Sequence, residues 1–104
     1  MALTRDFKDT VQARATKDAK FRKALLTESV ECFLSGDLET GKTILRDYIN
    51  ATIGFEQLAN ATSKSPKSLM RMFSIEGNPR ADNIFSILSI LQKKEGVQLH
   101  VRAS

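Results

Sequence analysis

The chain has 104 residues, enough for one modest hydrophobic core and too few for two. Its apolar fraction of 41% and charged fraction of 27% are those of an ordinary globular sequence, and no apolar run reaches the roughly 18 residues of a membrane span. A net charge of +4 is compatible with nucleic acid without demanding it, and a single cysteine, Cys32, excludes an intramolecular disulfide.

The amino-terminal MALTRDFKDT has no apolar h-region, so a cytoplasmic protein is expected. Residues 1–16 are polar, with Phe7 and Val11 as isolated apolar points; they are expected to form an arm or a short docked helix, ahead of a single domain over 17–104. From Asp18, an N-cap, apolar residues recur at helical spacing through Phe21, Leu25, Leu26, Val30, Phe33 and Leu34. Gly36 is the expected stop. Asp37 then caps a second helix whose inward face is Leu38, Gly41, Leu45, Tyr48, Ile49 and Thr52, ended by Gly54. A short helix over about 55–61 turns Phe55, Leu58 and Ala59 inward.

Within LANATSKSPKSLMRMF, residues 58–73, that periodic run breaks off and another starts at once. Ser65 is the expected N-cap and Pro66 the first helical residue, where a missing N–H costs nothing. Leu69, Met72 and Phe73 face inward. SIEGNPRADN is rich in turn formers. A last helix, 81 to about 94, carries Ile84, Phe85, Ile87, Leu88 and Leu91. After Gly96, VQLHVRA alternates with a period of two, which predicts a short terminal strand over 97–102. A lone strand needs a partner: the amino-terminal arm or another chain.

Charge is segregated along the chain. Residues 28–47 carry five acids (Glu28, Glu31, Asp37, Glu39, Asp47) against Lys42 and Arg46, whereas 64–80 carry Lys64, Lys67, Arg71 and Arg80 against Glu76. The basic cluster coincides with the broken stretch. A helix that enters the major groove needs short or basic side chains in its first turns and an apolar opposite face. SPKSLMRMF meets both demands, with Ser65, Lys67, Ser68 and Arg71 on one side and Lys64 beside them at the corner.

These residues resemble a known family. LANATSKSPKSLMRMFSIEGNP resembles the helix-turn-helix of the phage Cro and repressor class. The run from Gly36 to Val101 is more narrowly similar to HigA-type antidote proteins of toxin–antitoxin modules, through Asp37, Leu45-Arg46-Asp47, Leu58-Ala59, Ser65, Leu69, the EGNP turn, Leu99 and Val101. The resemblance implies an all-α, five-helix, lambda-repressor-like domain with a short carboxy-terminal β-strand. It also implies a homodimeric repressor of a palindromic double-stranded DNA operator, and a RelE/ParE-like toxin as partner. The base-reading positions fall on Ser65, Lys67, Ser68 and Arg71, and the phosphate-contacting positions on Phe55 and Glu56. The chain departs from that pattern at Ser63 and Lys64, which replace a glycine and an apolar residue, and at Phe55, which stands where a glutamine often opens the preceding helix. Ser63 must therefore tolerate an awkward backbone, and Lys64 must point outward.

An enzyme is not expected, nor a cofactor, a metal or a membrane partner. GDLETGKT, residues 36–43, matches a phosphate-binding loop letter for letter, but that loop needs a preceding strand and a parallel sheet. His100 has no Cys, Asp or Glu cluster near it and reads as a solvent-facing residue; Cys32 reads as a small buried hydrophobe. The alternative function is a protein-interaction module on the same scaffold that binds no DNA.

Overall fold

The computed structural model describes residues 5–104, with side chains from Thr10 onward. Among the described residues there are six helices: α1 (Arg5–Lys17), α2 (Ala19–Leu34), α3 (Leu38–Ala51), α4 (Gly54–Thr62), α5 (Pro66–Met72) and α6 (Ala81–Glu95). The all-helical expectation holds, with one helix more than the five counted from Asp18 onward. The additional helix is α1, within the segment expected as an arm or docked helix; residues 1–4 and the Phe7 side chain lie outside what is described.

The chain folds locally as its caps dictate. Asp18 Oδ1 accepts from Phe21 N at 3.1 Å and Asp37 Oδ1 from Thr40 N at 3.2 Å, which satisfies amide donors left open at the starts of α2 and α3. The joint between α1 and α2 is held by long side chains. Arg14 lies over the Phe21 ring at 4.5 Å, and Arg22 donates to the carbonyls of Ala15 and Thr16 at the end of α1. Ala15 is consequently fully buried and α1 packs against both α2 and α3.

Leu26, Leu45, Ile49, Leu58, Leu69 and Leu91 are inaccessible, so every helix from α2 to α6 contributes to one core. α2 and α3 approach closely at Gly41, where an added Cβ would stand 2.7 Å from the Phe33 ring. Beneath this core, Tyr48 donates to Glu95 Oε1 at 2.6 Å and Arg22 Nε donates to the same oxygen at 3.1 Å, which joins α2, α3 and the end of α6.

Two expectations are corrected. No strand occurs among the described residues: 97–102 has no regular secondary structure. Residues 5–17, one candidate partner, are helical and form no strand with it. Leu99 N instead donates to the Gln92 side chain at 2.8 Å and Val97 N to Gln92 O at 3.0 Å, while His100 and Val101 stay exposed. The second correction concerns apolar positions. Leu34, Leu38 and Phe85, expected on inward faces, are 65%, 49% and 66% exposed, and Thr52, expected on the inward face of α3, is exposed at its end. They sit at the edges of their helices' apolar arcs, where periodicity does not distinguish core from rim.

Candidate nucleic-acid interface

α4 and α5 meet across a three-residue corner, Ser63 to Ser65. Ser63 has φ 59° and ψ 27°, the left-handed conformation, and it is the one non-glycine residue with positive φ among those described. The serine thus accepts the awkward backbone that the missing glycine imposes. It ends α4 and lets the chain reverse within two residues. Ser65 follows in extended geometry, and its Oγ accepts from Ser68 N at 3.0 Å, while Pro66 occupies the first turn.

The inner side of this corner is apolar. Leu69 is inaccessible and Phe73 is 1% exposed; the Phe73 ring meets Phe55 at 6.0 Å with a 57° tilt. Phe55 is buried as expected of its inward face, so it presents no side chain to a phosphate at the start of α4, whereas Glu56 is exposed.

The outer side gathers the predicted residues. Ser65, Lys67, Ser68 and Arg71 are exposed and Lys64 is half-buried at the corner. Because Ser65 Oγ is occupied as an acceptor, its hydroxyl hydrogen remains to donate outward. Lys67 and Arg71 stand four residues apart and so share a stripe of the helix. Arg80, beyond the turn, pairs with Asp82 at 3.4 Å. Met70, 55% exposed between these residues, also belongs to this surface. The sequence offered a signal for it, a spacing of three from Lys67, but an apolar residue type is read as core by default.

The carboxy-terminal end of α5 is held from behind. Lys42, at 3% exposure, donates to Ser74 O at 3.0 Å and Gly77 O at 2.6 Å, and pairs with Glu39 at 3.1 Å. Arg46 Nη1 lies 3.4 Å from Phe73 O. Sequence reasoning missed both residues, because a lysine in a helical stretch ordinarily marks a solvated face. The same geometry accounts for GDLETGKT. Its lysine is turned inward onto backbone carbonyls, and its glycines lie before and inside α3, with a helix rather than a strand preceding them.

Among the described residues no His, Cys, Asp and Glu side chains cluster as a metal site would require, and no helix is long and apolar enough to cross a membrane. Cys32 is half-buried in α2, where burial, followed by the charges of Asp37, Glu28 and Glu31, pushes its thiol above the ordinary range. Compared with protein-family models, curated proteins and solved structures, the chain matches none.

Proposed function

We propose that the protein is a sequence-specific DNA-binding regulator that places α5 in the major groove, in the manner of a helix-turn-helix repressor. One observation carries this reading. A capped helix start exposes Ser65, Lys67, Ser68 and Arg71 together, while Leu69 and Phe73 on the opposite side fix the helix to the core. Lys67 and Arg71 have the reach for phosphates or guanine edges, and Met70 offers apolar contact for a thymine methyl group. The resemblance to HigA-type antidotes extends the reading to a homodimer that represses its own operon from a palindromic operator and neutralises a RelE/ParE-like toxin, within the cytoplasm.

The test is a gel-shift titration with the duplex upstream of the protein's own reading frame. Lys67→Ala and Arg71→Ala should each weaken binding, and a variant that no longer reaches one phosphate should show a log–log salt dependence shallower by about one unit. Unchanged affinity in both variants would remove α5 from the interface.

A second reading, a protein-interaction module without DNA binding, is favoured by a different feature. Leu34, Leu38 and Phe85 expose an apolar face around a cavity of about 190 Å³, and Asp37 and Glu39 adjoin Leu38. Such a face suits a partner with an apolar anchor and basic surroundings. Capture of a partner with no DNA retardation at low salt would favour this second reading over the first.

A further inference from the structure

We infer that Lys42 and Arg46 are the positioning residues of α5: from α3 they grip its carbonyl end and set the pose in which its first turn faces outward. The purpose of this clamp rests on the DNA-binding reading; its geometry does not. α5 has seven residues, fewer than the roughly 12 to 15 that a free helix needs even for marginal stability. Its pose must therefore come from what holds it.

Three attachments are present. The corner at Ser63 to Ser65 ties the front of α5 to α4, the helix against which it lies. Leu69 and Phe73 anchor its underside. The corner holds only the front, and Phe73 holds the far end to the core by apolar contact, which is not directional. The third attachment adds directional bonds there. The carbonyls of Phe73, Ser74 and Gly77, at the C-cap and in the turn beyond, accept from Arg46 and Lys42. These cations are four residues apart, hence on one face of α3, and they meet the end of α5 where the helix dipole leaves negative charge.

The grip is tight for two reasons. The Lys42 ammonium donates to Ser74 O and to Gly77 O and is also paired with the Glu39 carboxylate. If the turn moved away, the buried ammonium would lose both carbonyl acceptors and keep only Glu39, which is costlier than the loss of an exposed ion pair. Secondly, the turn cannot move independently of the helix. A Cβ on Gly77 would collide with the backbone carbonyls of Arg71 and Met72, so the turn is folded directly onto the end of α5. Holding the turn holds the helix.

The test compares the native protein with Lys42→Met, which keeps the apolar stem and removes the charge. Amide hydrogen exchange across 69–77 should accelerate about tenfold, the scale of one hydrogen bond to a charged group, while amides of α2 and α6 change by less than about twofold. Against a duplex selected by the native protein from a randomised library, the variant should lose about tenfold in affinity; binding to an unrelated duplex at low salt, which needs charge but not pose, should stay within about twofold. Lys42→Arg should restore part of the loss. Acceleration spread evenly over all helices would reduce Lys42 to a general stabiliser and overturn the inference, as would unchanged exchange over 69–77. Should Lys42→Met fail to fold, Arg46→Met, at a half-buried position, decides the same question through the same local pattern. If the native protein selects no duplex, the DNA-binding reading falls, and the exchange pattern still decides the clamp.

Discussion

At the scale of single residues, the corner depends on a serine where the backbone favours glycine. A left-handed L-residue costs roughly 1–2 kcal/mol, whereas the extra freedom of glycine in the unfolded chain returns about 0.4–1 kcal/mol of that. The first effect is the larger. Ser63→Gly is therefore expected to stabilise the fold by about 0.5–1 kcal/mol, read as a higher urea midpoint at unchanged slope; a lower midpoint would show that φ 59° is no strain for Ser63. Two residues on, Ser65→Ala should cost about 1 kcal/mol, because it orphans the Ser68 amide that now donates to the Ser65 hydroxyl. The position of the corner was legible from Ser65-Pro66, and the demand on Ser63 from the missing glycine. Met70 was missed although its spacing of three from Lys67 sets it on the basic side, because an apolar residue type argues for the core.

At the scale of elements, α3 is the organising helix, and its two charged attachments were the least visible in the sequence. The periodicity of Leu45, Tyr48 and Ile49 correctly gave its buried face. Nothing in that pattern says that Lys42 turns inward or that Tyr48 reaches Glu95, since those partners lie 35 and 47 residues away in the chain. The second attachment makes a pH prediction. Burial pushes the Glu95 carboxyl up, but the Tyr48 hydroxyl and Arg22 guanidinium outweigh it, and the group titrates below the ordinary carboxylate range. A depressed folded value contributes stability that is present above the unfolded value near 4.3 and lost as pH falls through the folded one. Tyr48 behaves oppositely. Burial first, then the hydrogen bond and charge of Glu95, raise its phenol well above the usual range. Its contribution is present below about pH 10 and is lost as pH rises through the folded value. Tyr48→Phe should therefore cost about 1.5–3 kcal/mol at neutral pH, the worth of a hydrogen bond to a charged group. It should also flatten both the acid and the alkaline limbs of stability in urea titrations from pH 3 to 11. A variant whose limbs match the native protein's would show that Tyr48 and Glu95 are not the groups that titrate.

At the scale of the whole molecule, the helices were legible because their apolar faces have a period and because Asp18, Asp37 and Ser65 cap α2, α3 and α5. The tail was not, because alternation in Val97, Leu99 and Val101 signals an extended segment, and a strand additionally needs a neighbour that no single chain's periodicity can supply. The tail lies along a groove of about 570 Å³ with Leu34 and Phe85 on the far wall, and Val101 is 79% exposed. Glu31 borders this groove on α2, and His100 and Arg102 border it on the tail. We propose a two-fold mate that pairs the tails antiparallel, with Leu99 opposite Val101. Magnitudes set how strong such a dimer is. Burying Leu34, Phe85 and Val101 from each copy, at about 1.5 kcal/mol apiece after allowance for partial exposure, gives roughly 9 kcal/mol. Association costs about 4–15 kcal/mol in translational and rotational freedom, so the free dimer is expected to be weak. On the DNA-binding proposal, a palindromic duplex would hold both copies at once and raise the apparent affinity by supplying the second copy at high effective concentration. Sedimentation mass should accordingly climb with protein concentration, and Val101→Asp should return it to the monomer while leaving helical content intact. The same variant should still bind a single half-site but lose cooperativity on a palindrome. A protein that stays monomeric at high concentration, and whose two half-sites fill independently, would rule out the tail as the two-fold contact.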